Sequence, residues 1–284
     1  MPNNKERRTA WEWFGRHLLL DAPFDLTHIP RTFAIYRHLL GLLPEDPRCR
    51  SCQAPFSGIG APIVRILLRK RHSNYTPLLC NRCEQGIREN PGGTEIELSM
   101  LFADIRGSTS LAEHMSPSAY SELINRFYTT ATKIFVRTDA FIDKLSGDEV
   151  LAVYIPGFAG LDHAARAIEA ARELLTVTGH ADPEGPWIKV GAGVHTGVAW
   201  FGSLGSREGV TDITVLGDSV NTTARLASAA KAGEVIVSEQ SMQNSHLETS
   251  RYIRRSLRLK GKSEEISAFV LHVKPLEDDA DISS

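Results

Sequence analysis

Residues 141–154 read FIDKLSGDEVLAVY, and this stretch predicts two short strands joined by a tight turn at Gly147 and Asp148. Apolar residues alternate on both sides of the turn, which is typical of a hairpin that lays one face on a core. A tight turn explains the glycine. It does not explain why Lys144, Asp148 and Glu149 crowd one hairpin, and we therefore ask whether these charges hold a ligand.

The segments on either side of this hairpin predict an α+β sandwich. Before it, residues 95–105 (EIELSMLFADI) turn wholly apolar, as expected of a strand that enters the middle of a sheet. Ser116 then suits the N-cap of an amphipathic helix whose first helical residue is Pro117. The later segments predict, in order, a helix at 161–178, strands within 188–205 and 212–220, a helix at 219–231, a strand at 234–238 and a hairpin within 252–273. The order β-α-β-β-α-β, with additions, predicts a ferredoxin-like fold.

Length and charge predict more than one domain. The chain has 284 residues, which suits about two domains. Residues 1–93 carry a net charge of +6 and the remainder a net charge of −8, and the turn-rich NPGGTE at 90–95 separates the two parts. We expect a small helical N-terminal domain over 1–93, the ferredoxin-like domain over 94–275, and an acidic disordered tail over 276–284. The helices of the first domain are expected at about 6–20 and 28–43.

The sequence predicts neither a membrane span nor a signal peptide. No apolar run approaches the roughly 20 residues that cross a bilayer. Near the N-terminus the apolar residues are interrupted by Glu12, Arg16 and His17, a pattern typical of an amphipathic helix. We therefore expect a cytoplasmic protein, in which disulfides are rare.

The four cysteines form two CxxC pairs, Cys49 with Cys52 and Cys80 with Cys83, separated by 27 residues. This pattern predicts a closed, structural Zn²⁺ site with four thiolate ligands, although the gap exceeds the usual spacing of about 15–20 residues. An iron–sulfur cluster and redox-active thiols are the alternatives. The basic stretch at 65–72 suits a solvated helix face better than a nucleic-acid patch, so nucleic acid is not an expected partner.

Two aspartates are expected to converge beside the hairpin. Asp104 ends the first strand of the ferredoxin-like domain, and Gly107, Ser108 and Thr109 then open a turn whose free N–H groups suit phosphate oxygens. The hairpin that carries Asp148 is a neighbour of that strand in a ferredoxin-like sheet. Two carboxylates beside a phosphate cradle suit Mg²⁺. The alternative is a helix N-cap and an ordinary turn residue.

Four separate motifs carry a family resemblance. They are LFADIRGST at 101–109, KLSGDEVLAVY at 144–154, GAGVHTGVAWFGSLG at 191–205 and TVLGDSVNTTARLAS at 214–228. Together and in this order they resemble the motifs of the class III nucleotidyl cyclase catalytic domain, over about residues 94–275. The resemblance implies that Asp104, the carbonyl of Ile105 and Asp148 bind two Mg²⁺ or Mn²⁺ ions.

The resemblance also implies which side chains contact the nucleotide. Lys144 and Thr214 match the pair that reads the purine, and Asn221 and Arg225 match the residues that orient the ribose and stabilise the transition state. Lys189 and Lys260 match positions that contact the terminal phosphates. In this family the metal aspartates and the remaining residues come from different chains of a head-to-tail pair. Because this chain carries both sets, a homodimer with two equivalent sites is implied.

The implied reaction is the conversion of a nucleoside triphosphate into a 3′,5′-cyclic monophosphate and pyrophosphate. Lys144 can only donate, which suits N1 of adenine, and the Thr214 hydroxyl can accept from the N6 amino group. Guanine reverses both requirements, so ATP is the expected substrate. A hydroxyl can also donate, so the exclusion of guanine is expected to rest mainly on Lys144. The alternatives are a guanylate cyclase, an inactive cyclase-fold scaffold that senses nucleotide or mediates dimerisation, and a zinc-dependent nucleic-acid binder.

Overall fold

A computed structural model of the chain describes residues 31–43, 47–89, 92–205, 209, 211–258 and 265–273. The helix expected at 6–20, Lys260 and the acidic tail at 276–284 lie outside the described residues. The second N-terminal helix is found at Arg31–Gly41, inside the expected range.

The described strands and helices follow the order expected from the sequence. The strands are β1 (Gly92–Ile105), β2 (Phe141–Ser146), β3 (Glu149–Tyr154), β4 (Val190–Gly205), β5 (Thr211–Leu216), β6 (Glu234–Ser238), β7 (Ile253–Leu257) and β8 (Ile266–His272). The α-helices are α1 (Arg31–Gly41), α2 (Gly60–Leu67), α3 (Asn81–Glu89), α4 (Ser108–His114), α5 (Pro117–Arg137), α6 (Pro156–Ala159), α7 (His163–Leu175), α8 (Asp218–Ala229) and α9 (Glu239–Ser245).

The sheet confirms the ferredoxin-like expectation. Its first four strands lie in the order β2-β3-β1-β4 and pair antiparallel, with α5 and α7 in the two crossovers. β6 then pairs parallel to β4, and β8 and β7 complete the sheet. Among the described strands, β5 pairs with the second half of β4, and the two strands form an arm.

Helix α5 begins where the sequence predicts it. The Ser116 hydroxyl accepts a hydrogen bond from the N–H of Ala119 at 3.3 Å, and Pro117 occupies the first turn. Phe127 and Phe135 on the same helix are fully buried against the sheet. The amphipathic face of α5 therefore fixes one layer of the sandwich.

The cysteine-bearing segment packs on the other face of the sheet. Its buried residues form one hydrophobic cluster with the strand residues Met100, Phe141 and Val215. The rings of Phe141 on β2 and Phe201 on β4 meet edge to face with their centroids 5.3 Å apart. The arm made by β4 and β5 therefore lies close to β2, and the cysteine-bearing segment shares a core with both.

A glycine allows α8 to pack closely on this sheet. A Cβ atom at Gly193 on β4 would lie 2.3 Å from the backbone nitrogen of Ala227 on α8, far inside normal contact. Only glycine permits that approach. Because Asn221 and Arg225 also lie on α8, this contact sets where they stand relative to the sheet.

Candidate active site

The ends of β1 and the hairpin meet, as expected. Asp104 is paired with Glu149 in the register of β1 and β3, and the N–H of Ile105 donates to the carbonyl oxygen of Asp148 at 3.0 Å. The Ser108 hydroxyl donates to the carboxylate of Asp148. The structure therefore brings Asp104, Ile105 and Asp148 together at one edge of the sheet.

A hydrogen bond from helix α5 holds the turn of the hairpin in place. Gly147 has φ +62°, which favours glycine, and its carbonyl accepts a hydrogen bond from the Tyr128 hydroxyl at 2.8 Å. Tyr128 lies on α5, so the helix that covers the core also positions the turn. Asp148 is the next residue and is therefore presented by a tethered tip.

The electrostatics of this edge suit a cation. Burial raises the pKa of Asp104; an ion pair with Arg106 opposes that rise, and the negative charge of Asp148 adds to it. Glu149 also lies here, and burial and the charge of Asp104 raise the pKa of Glu149. Like charges held this close favour a bound cation, and carboxylate oxygens are hard ligands that fit Mg²⁺. The sequence interpretation did not include Arg106, which partly neutralises this edge.

The two residues expected to read the purine lie on β2 and β5, and a third residue connects them. Lys144 is exposed on β2 and Thr214 is half-buried on β5. Between them, Asp143 accepts hydrogen bonds from the Thr214 hydroxyl at 3.3 Å and from the Val215 N–H at 3.0 Å. Burial raises the pKa of Asp143 to about 6, in spite of both hydrogen bonds.

Asp143 is a second residue that the sequence interpretation missed. Its only sequence signal was a charge that interrupts an apolar strand, directly before Lys144. The pairing of β2 with β3 is irregular between Ile142 and Lys144, and such a bulge re-aims a side chain.

The next two candidates share one face of α8. Asn221 is exposed and Arg225 is half-buried, whereas Thr222 and Thr223 on the same helix are buried. Within the described ranges, no ion pair to Arg225 is found. Among the described residues, no hydrogen bond or ion pair joins Asn221 or Arg225 to Asp104 or Asp148.

Lys189 lies next to the end of β1. It is exposed, directly before β4, and its carbonyl oxygen accepts a hydrogen bond from the N–H of Arg106 at 2.8 Å. Val190 pairs with Ile105 in the register of β1 and β4, so Lys189 lies opposite Arg106, the residue that follows Ile105. Lys260, the other residue expected to contact phosphate, lies outside the described residues.

The four cysteines form one cluster. The Sγ atoms of Cys49, Cys52, Cys80 and Cys83 all lie within 4.8 Å of one another, and those of Cys52 and Cys80 are 3.8 Å apart. A tetrahedral zinc site with bonds of 2.3 Å has sulfur–sulfur distances of about 3.8 Å. The donor set and its spacing therefore fit Zn²⁺.

A lysine lies against these sulfurs. The Lys70 ammonium donates to Cys52 Sγ at 3.1 Å. Hydrogen bonds from the neighbouring cysteines and the charge of Lys70 lower the pKa of the Cys52 thiol, whereas burial opposes them. Burial by itself would lower the pKa of Lys70, but the charges of Cys83 and Cys52 outweigh it and raise that pKa. The environment thus favours thiolate, the form that binds metal, at Cys52, whereas hydrogen bonds from the neighbouring cysteines raise the pKa of the Cys49 thiol.

Two arginines join the cysteine-bearing segment to the strands of the purine pair. Arg88 on α3 donates to the carbonyl of Thr211 at the start of β5. Arg50, inside the first CxxC pair, forms an ion pair with Asp139, two residues before β2. The segment therefore braces β5 and the chain leading into β2.

Residues 94–273 match the family model described as the adenylate and guanylate cyclase catalytic domain. The chain belongs to this family. The match begins two residues inside β1 and extends through β8, so it contains every candidate residue above apart from the cysteines.

The chain is similar to longer proteins over part of its sequence. An adenylate cyclase of Anabaena cylindrica is 31% identical over 183 residues, which cover 61% of this chain and 36% of that protein. An uncharacterized protein of Mycobacterium tuberculosis (strain H37Rv) is 29% identical over 183 residues, which cover 63% of this chain and 33% of that protein. The chain thus spans about a third of the length of these relatives.

Solved cyclase structures share the fold. The adenylyl cyclase CyaB from P. aeruginosa superposes with a TM-score of 0.56 at 25% identity, over 63% of this chain and 96% of that chain. The guanylyl cyclase Cya2 superposes with a TM-score of 0.57 at 23% identity, over 63% of this chain and 93% of that chain. Among the described helices, none has the length and apolar character that a bilayer span needs.

Proposed function

We propose that this cyclase is an adenylate cyclase, which converts ATP into 3′,5′-cyclic AMP and pyrophosphate in the cytoplasm. The observation that carries the proposal is the convergence of Asp104, at the end of β1, with Asp148, at the tethered tip of the hairpin. A scaffold that had lost turnover would have no need of two repelling carboxylates at one edge. The residues for the base and the transition state are also present, which supports an active enzyme over a scaffold.

Asp104, Asp148 and the carbonyl of Ile105 would hold two Mg²⁺ or Mn²⁺ ions. Such ions, when bound, lower the pKa of the attacking 3′-hydroxyl and steady the leaving pyrophosphate. The protein itself orients the reactants. Ser108 and Tyr128 fix the hairpin tip through their hydrogen bonds, so the carboxylates are arranged before substrate arrives.

The second half of the site would come from a second copy of the chain. Asn221 would orient the ribose, and Arg225 would supply positive charge where it builds on the α-phosphoryl oxygens. Lys189 and Lys260 would contact the terminal phosphates. Because the described residues show no hydrogen bond or ion pair from Asn221 or Arg225 to Asp104 or Asp148 of their own chain, a head-to-tail homodimer with two equivalent sites is proposed.

The choice of ATP rests on hydrogen-bond direction. Lys144 donates to N1 of adenine and Thr214 accepts from its N6 amino group, whereas guanine presents a donor at N1 and an acceptor at O6. A site with mismatched polar groups rejects the wrong base strongly.

The test is to offer purified protein ATP or GTP with Mg²⁺ or Mn²⁺ and to separate the products by chromatography. Cyclic AMP is expected as the main product. Cyclic GMP as the main product would instead assign a guanylate cyclase, and the absence of any cyclic product with both metals would assign a scaffold.

Lys144→Glu is expected to lower kcat/KM for ATP by two to three orders of magnitude, about 3–4 kcal/mol, because an acceptor then faces the N1 acceptor. GTP should suffer less, since Glu accepts from guanine N1–H. Steady-state kinetics with both nucleotides measure the change. Lys133→Glu, the same charge reversal on the exposed side of α5, serves as the control. An unchanged preference for ATP would show that Lys144 does not contact the purine.

We further propose that the cysteine cluster holds one structural Zn²⁺ per chain. The supporting observations are the four sulfurs in one cluster and the burial of Cys49, Cys52 and Cys80. A site whose four positions are all filled by thiolates leaves none for substrate, so its role is structural.

Cys80→Ser should remove the zinc and destabilise the whole chain, because the segment shares a hydrophobic cluster with β2 and β5. A loss of about 3 kcal/mol would lower Tm by roughly 6–12 °C. Elemental analysis and thermal unfolding measure both effects. Arg82→Ala, within the same CxxC pair, should retain the metal and the Tm. A brown protein that contains iron, or a metal-free variant as stable as the wild type, would contradict the zinc assignment.

A further inference from the structure

Asp143 forms a bridge between β2 and β5 whose hydrogen-bond directions follow from the chemistry of its partners. Its Oδ1 lies 3.0 Å from the backbone nitrogen of Val215 and its Oδ2 lies 3.3 Å from the Thr214 hydroxyl oxygen. A backbone N–H can only donate, and an ionised carboxylate can only accept. Both hydrogens therefore point at Asp143.

This bridge decides what the Thr214 hydroxyl can offer to a ligand. A hydroxyl has one hydrogen, and here that hydrogen is directed at Asp143, with the carbonyl of Val215 at 3.5 Å as a second nearby acceptor. The hydroxyl then presents only lone pairs to its remaining surroundings. Thr214 becomes an acceptor, although threonine can in general act in both directions.

We propose that Asp143 is a positioning residue for base specificity, which fixes Thr214 as an acceptor and so selects a 6-aminopurine over a 6-oxopurine. This inference rests on the proposed function, in which Lys144 and Thr214 read the base. It assigns part of the discrimination against guanine to a carboxylate that does not itself contact the nucleotide. Guanine exclusion then rests on two residues, since Thr214 cannot turn to donate to O6.

The surroundings of Asp143 support this role. Its pKa is raised by burial to about 6, so the carboxylate is ionised near neutral pH and holds both donors. Its neighbour in sequence is Lys144, and its bond partner is Thr214, so it joins the two residues of the purine pair. A simple brace between β2 and β5 would need only the bond to the Val215 N–H.

Asp143→Asn is the decisive substitution, because it keeps the shape and reverses one bond. The amide oxygen must face the Val215 N–H, since that group can only donate. The amide NH₂ then faces Thr214 and donates to its oxygen, which frees the hydroxyl hydrogen to donate to O6 of guanine. The ratio of kcat/KM for GTP to that for ATP is expected to rise roughly tenfold, because one mismatched polar contact becomes a matched one.

Two controls separate this role from a structural one. Asp212→Asn removes a charge near Asp143 on an exposed position of β5 without touching Thr214, and should leave the ratio unchanged. Thr214→Val removes the hydroxyl, so adding Asp143→Asn to Thr214→Val should produce no further shift. Thermal unfolding of each variant shows whether β2 and β5 remain in place.

The outcomes distinguish the inference from the proposed function. A tenfold shift that disappears in the Thr214→Val background supports the inference. An active Asp143→Asn variant with an unchanged ratio, or with the same shift when Thr214 is Val, would overturn it and leave the adenylate cyclase assignment standing. A wild-type protein that forms no cyclic nucleotide would overturn both.

Discussion

Asp104→Asn or Asp148→Asn is expected to abolish cyclase turnover, with a loss of about a thousandfold or more, because a neutral amide cannot replace a carboxylate on a divalent ion. The structure sharpens this expectation. Both side chains lie at one edge, where burial and, to a smaller extent, the charge of Asp148 raise the pKa of Asp104, so a bound cation would stabilise the ionised form of Asp104. Initial rates of cyclic AMP formation at saturating metal measure the loss.

A neighbouring carboxylate provides the control for this experiment. Glu149 pairs with Asp104 in the register of β1 and β3, and burial and the charge of Asp104 raise its pKa, but no role is assigned to it. Glu149→Gln should therefore retain most of the activity, and all three variants should melt close to the wild type. Near-normal turnover of either aspartate variant, with divalent metal still required, would show that the pair does not bind the catalytic ions.

A mixture of two inactive variants should recover activity. Asp104→Ala removes the metal ligand and leaves Arg225 intact, and Arg225→Ala does the converse. Either homodimer should be nearly inactive, since loss of a single transition-state arginine costs about 10³–10⁵ in rate in other phosphoryl-transfer enzymes. In a mixed dimer one site contains both defects and the other contains neither. Equal amounts after random exchange make half the dimers mixed, so activity should return to about a quarter of wild type.

This experiment needs independent proof that chains exchange. Differently tagged variants that co-purify after mixing supply it, and two preparations of the same variant, mixed in the same way, supply the blank. If exchange is shown and the mixture stays inactive, each site is built within one chain. The homodimer mechanism would then be wrong, even if the protein is a cyclase.

The sequence was sufficient to place the aspartate pair. Strand periodicity, the turn at Gly147 and the N-cap at Ser116 are local signals, and all of them were confirmed. Once the order β-α-β-β-α-β was set, the neighbouring positions of β1 and the hairpin followed, and Asp104 and Asp148 had to converge. Local sequence signals were therefore enough to predict this pair, because the strand order was the only long-range information needed.

Other features depend on contacts that sequence does not encode locally. The bond from Thr214 to Asp143 joins residues 71 apart and requires both the bulge in β2 and the arm formed by β4 and β5. Arg106 could equally have faced solvent. The packing of the cysteine-bearing segment on the sheet, through Arg88 and Arg50, follows from shape and not from spacing.

Phosphorus NMR of ATP incubated with purified protein and Mg²⁺ tests the central claim most directly, because it follows both products of the reaction at once. With the wild-type protein, we expect the signals of ATP to be replaced by those of cyclic AMP and pyrophosphate in equal amounts. With Asp148→Asn, we expect the signals of ATP to remain unchanged. Formation of ADP with inorganic phosphate, or of AMP with pyrophosphate and no cyclic phosphodiester, would show attack by water in place of the 3′-hydroxyl and would contradict the assignment.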